Sequence, residues 1–364
     1  YKEVNGTAVQ NFAGDYTGAV DGELWYNSTA TTFQYKFGAT AAVWSTGGNL
    51  NSGRMGIGGA GNQTAAIGFA GYPPNSGEAF TELYNGSNWT EVNDMVRGAS
   101  TYDIKGTGSS TAALAFGGGS APERAKTETW NGTNWTAVTA MSTPRGGGSF
   151  AGGTNTAAIA AGGAPATANT ELYNGTNWTE VNNMNTARQG IGSAGYGSQT
   201  AGLAFGGSAP PPNSALTELW NGTNWTEVNN LNQLRPQLGG TGTSTAALAI
   251  GGDPSPALVE VWNGTNWTEV NNLNTGRKSV SAAGITTAAV ASGGGSPSIV
   301  ALTETWNGTN WTEVGDLNAA ISKAGGAGTT AAALSFGGNN PPDVTTAATE
   351  EFVSGDVTAT LGSE

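Results

Sequence analysis

The chain has 364 residues, of which 59 are glycine and only 11% are charged, and its formal net charge is −13. An acidic surface repels phosphates, so this composition argues against nucleic-acid partners and anionic membranes. Cysteine and histidine are both absent, which excludes disulfides, thiolate or imidazole metal sites and every His- or Cys-based catalytic arrangement. No apolar run is long enough for a transmembrane helix, so we expect no membrane insertion.

The chain divides into three parts by pattern. Residues 1–41 precede the repetitive region and hold one hairpin-like stretch, in which residues 22–28 are followed by Phe33, Gln34 and Tyr35. We expect residues 1–41 to form an N-terminal leader that anchors the chain, residues 42–354 to form one repeat domain, and residues 355–364 to form a C-terminal tail.

A repeat of 42–47 residues dominates the rest of the chain. The pattern aromatic-Asn-Gly-Ser/Thr-Asn-Trp occurs six times. Its tryptophans are Trp89, Trp135, Trp178, Trp225, Trp267 and Trp311. A Thr-Ala/Gly-rich pattern that closes in glycine keeps the same period in seven copies. A period in the forties is typical of propellers with one four-stranded unit per repeat, and the alternative is a β-solenoid or another stacked β architecture.

Each repeat contains four short extended segments, here named strands a, b, c and d. In residues 188–231 they are the small-residue stretch 190–195, then 200–205, 216–220 and 225–228. The Asn-Gly pair between c and d is a strong hairpin signal, because both residues tolerate the backbone of a tight turn. Glycine, alanine and serine in strand a predict that it is the innermost strand, where the blades converge on a channel.

The two ends of the repeat region each lack part of a blade. The seventh repeat runs to Phe352 in strand c, but no tryptophan follows to mark a strand d. At the other end, Trp44 has the place of a strand-d tryptophan, while Ala39 stands where the aromatic residue of strand c should be. We therefore predict that the strand around Trp44 completes the seventh blade and closes the ring, leaving no open sheet edge.

These features together resemble the kelch repeat of β-propellers. The resemblance rests on glycine pairs that close strand b, aromatic residues in strand c, tryptophans in strand d, and a basic residue before strand a. The basic residues are Arg54, Arg97, Arg145, Arg188, Arg235, Arg277 and, in the last unit, Lys323. The resemblance implies an all-β, seven-bladed kelch-like β-propeller with four-stranded antiparallel blades.

A second resemblance concerns the biological setting. The leader hairpin resembles a motif common in tail-fibre and other virion proteins of bacteriophages. The Asn-Gly-Thr-Asn-Trp repeats, with strands such as Thr111–Gly118, are similar to repeats from phage structural proteins of marine bacteria. These similarities imply a virion protein, with residues 1–41 contacting other virion structural proteins.

Catalytic chemistry finds little support in the sequence. Kelch-type copper radical oxidases need cysteine and histidine, which this chain lacks. Sialidase-like propellers use an arginine cluster, whereas the arginines here recur once per blade, as structural residues do. Glycoside hydrolysis requires a pair of carboxylates, and no spacing singles out two of the 26 acidic residues for that role. We expect no enzyme activity, no catalytic metal and no cofactor, and we interpret the Asn-x-Ser/Thr sequons as turn chemistry rather than glycosylation sites.

A glutamate recurs in strand c of every repeat, for example Glu82 and Glu218. We predict that these glutamates pair with the recurrent arginines. We expect the pairs to be partly exposed, where each contributes about 0–1 kcal/mol.

The connections between strands b and c are the most variable part of the repeat. In a four-stranded blade they share one face with the d–a connections, and variable loops on a rigid scaffold are where binding residues concentrate. Proline in these loops also lowers the cost of ordering them. The candidate partner-binding residues are Tyr72, Pro73, Asn75, Glu123, Arg124, Pro211, Asn213, Asp253, Asn340 and Asp343.

The sequence therefore predicts a non-enzymatic virion structural protein that displays a propeller for decoration or for attachment to a host-surface glycan or protein. The alternatives are an adhesin or carbohydrate-binding propeller on a bacterial surface and, third, a glycan hydrolase.

Overall fold

The computed structural model describes most of the chain: residues 10–13, 24–29, 31–40, 42–72, 79–97, 101–119, 121–147, 150–194, 198–209, 213–253, 257–295, 297–342, 344–354 and 356–361. These residues form strands and connections, together with one short 3₁₀ helix, Glu123–Ala125. Among them, no helix is long and apolar enough to cross a membrane.

The leader contributes three strands and is followed by the strand that closes the ring. They are β1 (Gln10–Phe12), β2 (Leu24–Asn27), β3 (Thr32–Thr40) and β4 (Val43–Thr46). The predicted leader hairpin is present, because β2 and β3 pair in antiparallel fashion with Tyr26 opposite Phe33. Strand β1 adds to β2 in parallel.

Six blades follow, each a four-stranded sheet in the order a-b-c-d. Blades 1 and 2 are β5 (Gly58–Asn62), β6 (Ala65–Phe69), β7 (Thr81–Tyr84) and β8 (Trp89–Val92), then β9 (Lys105–Ser109), β10 (Ala112–Phe116), β11 (Thr127–Trp130) and β12 (Trp135–Val138). Blades 3 and 4 are β13 (Phe150–Gly153), β14 (Ala158–Ala161), β15 (Thr170–Tyr173) and β16 (Trp178–Val181), then β17 (Gly192–Ala194), β18 (Gly202–Phe205), β19 (Thr217–Trp220) and β20 (Trp225–Val228). Blades 5 and 6 are β21 (Gly239–Gly242), β22 (Ala247–Ile250), β23 (Val259–Trp262) and β24 (Trp267–Glu269), then β25 (Ser281–Ile285), β26 (Ala288–Ser292), β27 (Thr303–Trp306) and β28 (Trp311–Glu313).

The seventh blade is built from both ends of the repeat region, as the incomplete repeats predict. Its strands are β29 (Gly325–Gly328), β30 (Ala332–Phe336) and β33 (Thr349–Val353), and its b–c connection contains the two-residue strands β31 (Asn339–Asn340) and β32 (Val344–Thr345). Strand β4 supplies its outermost strand, with Trp44 opposite Phe352. The chain is therefore an all-β, seven-bladed β-propeller of four-stranded antiparallel blades.

The predicted C-terminal tail contains a strand, β34 (Asp356–Leu361). It pairs with β3 and completes a four-stranded sheet with the leader. Both ends of the chain thus meet in one sheet outside the blades, a pairing that the tail's few apolar residues did not signal.

The core lies between neighbouring blades. Strand b of one blade packs against the strand-d tryptophan and the strand-c aromatic residue of the next blade. For example, the ring centroids of Phe205 and Trp267 are 4.9 Å apart. Small residues in strand a let the inner strands approach one another, and an added side-chain carbon at Gly240 would lie 2.6 Å from the carbonyl oxygen of Ser193 in the preceding blade. This close approach of the inner strands lets the blades converge around the central channel.

Candidate functional site

A cavity of about 820 Å³ lies at one end of the central channel. Residues of the d–a connections and of the b–c connections line it together, among them Gly190, Gln237 and Asn213. The fold therefore gathers on one face the two sets of connections that were expected to share it.

The d–a connections place one residue from each blade around the mouth of this cavity. They are Gly56, Asp103, Gly147, Gly190, Gln237, Ser279 and Lys323. Six of these residues have the left-handed backbone, with φ between 53° and 63°. Glycine adopts this conformation freely, but for Asp103, Gln237, Ser279 and Lys323 it costs about 1–2 kcal/mol each. We call these seven residues the mouth ring.

Backbone hydrogen bonds join members of the mouth ring across blade boundaries. The amide of Ser279 donates to the carbonyl of Gln237 at 2.9 Å, and that of Asp103 donates to Gly56 at 2.8 Å. The amide of Gly56 donates to the carbonyl of Lys323 at 3.0 Å, which links the first blade to the seventh. The ring therefore holds its side chains on a fixed backbone frame.

Four basic side chains line the cavity: Lys105, Arg124, Lys278 and Lys323. The carboxylates that line it are Asp103 and Asp253. Lys278 Nζ and Asp253 Oδ1 are 3.1 Å apart, and both side chains are 40% exposed. Burial in the channel lowers the pKa of Lys105, and nearby Asp103 partly opposes that effect.

The candidate binding residues from the b–c connections fall into three groups. Arg124, Asn213 and Asp253 line the cavity. Tyr72 is 38% exposed and makes an edge contact with Tyr102, a lining residue, at 6.2 Å between ring centroids. Pro73, Asn75, Pro211 and Asp343 lie outside the described residues.

The remaining two candidates, Glu123 and Asn340, differ in exposure. Glu123 is only 7% exposed, and its carboxylate accepts a bond from Lys126 Nζ at 2.8 Å. Asn340 lies in β31 opposite Val344, and its side-chain oxygen is buried without a hydrogen-bond partner. Glu123 is therefore poorly placed for direct contact with a partner, whereas Asn340 is half-buried.

The recurrent arginines pair with the strand-c glutamates, but the expectation of partly exposed pairs was wrong. In blade 4, Arg188 Nη2 and Glu218 Oε1 are 2.7 Å apart, and both side chains have 0% exposure. Nη1 of the same arginine donates to the carbonyls of Gly206 and Leu216 at 2.9 and 2.7 Å. The guanidinium is buried because it bonds the backbone where strand b ends and strand c begins. Burial lowers the pKa of Arg188, while the Glu218 carboxylate raises it.

The seventh blade lacks this arginine, and assigning Lys323 to its place was wrong. The carbonyl of Arg277 accepts a bond from Gly252, and the carbonyl of Ile321 accepts the equivalent bond from Gly294. Ile321 therefore has the arginine position, and Lys323 lies two residues later in the mouth ring. As a consequence, no cation pairs with the buried Oε1 of Glu350 in the described part of the chain. Burial raises the pKa of Glu350, although bonds from Asn318 and from the backbone amide of Ala319 oppose the shift.

The c–d turns on the other face have a structural role. In blade 4, Asn221 Oδ1 accepts bonds from the amides of Thr223 and Asn224 at 2.9 and 2.8 Å. Asn182 of the preceding blade donates to the Thr223 carbonyl at 3.1 Å and to Asn224 Oδ1 at 2.6 Å. These polar groups bond within and between blades, which supports their interpretation as structural turns.

The sequence reasoning missed the mouth ring and the cluster of cations. The sequence contained part of the signal for the mouth ring, because the second residue after most of the recurrent arginines is glycine or polar. In blade 2, however, Arg97 precedes Asp103 by six positions, and the longer connection hides the alignment. Neither the protein-family models nor the curated proteins include a match to this chain.

Proposed function

We propose that this chain is a non-enzymatic structural protein of a virion, which displays its propeller for attachment to a host surface. The observation that supports attachment most directly is the difference between the two faces of the propeller. On one face, the c–d turns repeat nearly the same residues and use their polar groups in structural bonds. On the other face, connections of different length and sequence surround an open cavity.

The kelch-like repeat and the resemblance of the leader to phage hairpins support the virion setting. The leader sheet also suits an anchor. Strand β3 is followed in sequence by β4, and β33 is followed by β34. Strand β3 pairs with β34 and β4 pairs with β33, both in antiparallel fashion. A two-stranded connection therefore joins the leader sheet to blade 7. Residues 1–41 would then contact other virion proteins while the propeller faces outward.

Mass spectrometry of purified phage particles tests the virion assignment. We expect peptides from both the leader and the propeller at a level comparable to known structural proteins. Recovery of the chain only from bacterial surface fractions would instead favour the alternative, an adhesin or carbohydrate-binding propeller of the cell surface.

Non-enzymatic action is tested separately by incubating the purified chain with glycans of the host surface. We expect no release of reducing ends. Turnover that is lost on substitution of one of the acidic residues would overturn this part of the proposal and favour a glycan hydrolase.

A further inference from the structure

The cations of this acidic protein are concentrated at the channel mouth. Six of the 13 basic residues in the chain are the recurrent arginines, whose side chains are buried and paired with glutamate. Of the seven others, Lys105, Arg124, Lys278 and Lys323 line the cavity. Among the residues that the structure describes, only two acidic ones, Asp103 and Asp253, line it with them. The mouth is therefore locally positive although the chain carries a net charge of −13.

The backbone of the mouth ring indicates that its side chains serve a purpose other than folding. Glycine stands at this position in blades 1, 3 and 4, as Gly56, Gly147 and Gly190, so the fold accepts a residue without a side chain there. Lys323 and Gln237 adopt the same left-handed backbone, with φ values of 54° and 55°, and for them this conformation has a cost that glycine would avoid. Strain of this kind concentrates where side chains contact ligands.

Lys323 and Lys105 both line the cavity, from parts of the ring that Gly56 separates. Gly56 separates the backbones of Lys323 and Asp103, to which it is hydrogen-bonded on its two sides. Lys105 follows Asp103 by two residues, at the start of the inner strand β9, and it lines the same cavity as Lys323. No hydrogen bond or ion pair is found for the Lys105 ammonium among the described residues, and burial lowers its pKa. An anionic group placed here would supply the missing partner.

The rest of the lining narrows the class of ligand. Gln189, Ser208 and Asn213 present uncharged polar groups to the cavity, which suits hydroxyl groups better than an apolar acid. Tyr102 lines the cavity and is 37% exposed, so its ring is available to pack against a sugar ring. The volume of about 820 Å³ lies within the range of about 300–1,000 Å³ that is usual for small-molecule sites.

We propose that the channel mouth binds an acidic saccharide, with Lys105 and Lys323 contacting its anionic group and Arg124 and Lys278 at the rim. This inference deepens the attachment role under Proposed function by naming the class of receptor. The anionic group is a carboxylate or a sulfate, two sources of the same charge that the experiment below separates.

The test compares ligands by isothermal titration calorimetry with the full chain. The probes are trigalacturonic acid, its methyl ester, a sulfated disaccharide and inorganic sulfate. We expect one saccharide molecule per chain, binding that weakens as sodium chloride is raised, and affinity for the ester at least about tenfold lower because its charge is lost. Preference for the carboxylated or the sulfated sugar identifies the anionic group.

The variants are chosen so that folding and binding separate. Lys323→Gly introduces the residue that other blades have at this position, and it should leave thermal stability equal or higher. Lys105→Met keeps the length of the side chain and removes its charge. Each should weaken binding of the acidic sugar by about tenfold or more, whereas Lys126→Gln, outside the cavity lining, should not.

Equal affinity for acid and ester, or undiminished binding by the folded Lys323→Gly and Lys105→Met variants, would overturn the proposal. Binding of inorganic sulfate without any saccharide binding would also overturn it. Failure of the virion assignment would leave this site intact, because the titration uses the isolated chain. Conversely, a virion protein that binds no acidic sugar would retain the proposed role and lose only this receptor class.

Discussion

The outer-strand tryptophans show how single residues hold neighbouring blades together. In six blades the indole Nε1 donates to a threonine hydroxyl at the start of strand c in the preceding blade, at 2.8–2.9 Å. Trp311 is the exception, since the preceding blade has Val259 at that place and its Nε1 is buried without a partner. A buried donor left unpaired lowers stability.

Restoring the missing hydroxyl should stabilise the protein. Val259→Thr keeps the shape of the side chain and supplies an acceptor for Trp311, so we expect the free energy of unfolding to rise by about 1 kcal/mol. Thr217→Val is the matched control, because it removes the acceptor of Trp267 and should cost about 1–2 kcal/mol. Urea denaturation measures both, and a loss of stability in Val259→Thr would contradict the interpretation.

Glu350 differs from its counterparts because no arginine accompanies it. Glu350→Gln removes a buried carboxylate and keeps an oxygen that can accept the bonds from Asn318, so we expect little loss at neutral pH. Glu218→Gln leaves Arg188 buried without its counterion and should cost about 3–5 kcal/mol. A loss as large in Glu350→Gln as in Glu218→Gln would show that Glu350 is paired in the folded chain.

The raised pKa of Glu350 predicts that the stability of the folded chain depends on pH. Burial raises the pKa of Glu350 above its ordinary value of 4.5, so the folded chain holds this proton more tightly than the unfolded chain does. The associated stabilisation is complete below pH 4.5 and is lost as the pH rises through the raised pKa. Thermal melts from pH 4.5 upward should therefore show Glu350→Gln gaining stability relative to the parent chain as the pH rises. Parallel curves would contradict this assignment.

At the scale of elements, closure of the ring depends on β4. Trp44 is 8% exposed, packs on Phe352 at 5.1 Å between ring centroids, and donates to Thr303 of blade 6 at 2.9 Å. The strand thus joins blade 7 to its neighbour as well as completing its own sheet.

Truncating this tryptophan should open the ring. We expect Trp44→Ala to lower the free energy of unfolding by about 3–5 kcal/mol through the lost packing. Val43→Ala, at a side chain that is 43% exposed, should change it by no more than about 0.5 kcal/mol. Chemical denaturation compares the two variants, and equal effects would mean that closure relies on another element.

Closure was predictable because two incomplete repeats complement each other, and an orphan Trp44 has only one partner sheet that also lacks a strand. The number of blades and the order of their strands followed from the same period.

Other elements could not be predicted from the repeat pattern. Strand β34 pairs with the leader although its sequence carries no repeat signature. In the seventh blade, Lys323 was assigned to the arginine position, two residues too late, because a lysine has the same charge as the arginine of the motif. The burial of the Arg188–Glu218 pair depends on backbone carbonyls that a sequence does not display.

At the scale of the whole molecule, the two faces of the propeller differ: one carries repeated structural turns and the other carries variable connections. Asparagine side chains hold the c–d turns in the blades: Asn221 accepts a bond within its own turn, and Asn182 of the preceding blade donates to the Thr223 carbonyl of that turn. The b–c connections vary, and those of blades 2, 4 and 5 bring Arg124, Asn213 and Asp253 to one cavity. A rigid ring with variable loops on a single face is the arrangement expected of a display scaffold.

Exchanging one b–c connection distinguishes which face of the propeller contacts a partner. Replacing residues 208–214 of blade 4 with the shorter equivalent segment of blade 5, residues 253–256, removes Asn213 from the cavity while leaving strands b and c in place. We expect binding of the labelled chain to host cells to fall severalfold with little change in melting temperature, since surface loops tolerate shortening. Asn221→Ala on the other face should instead cost about 1 kcal/mol of stability through its two lost turn bonds and leave binding unchanged. Undiminished binding by the loop variant, together with weaker binding by folded Asn221→Ala, would place the contact on the c–d face.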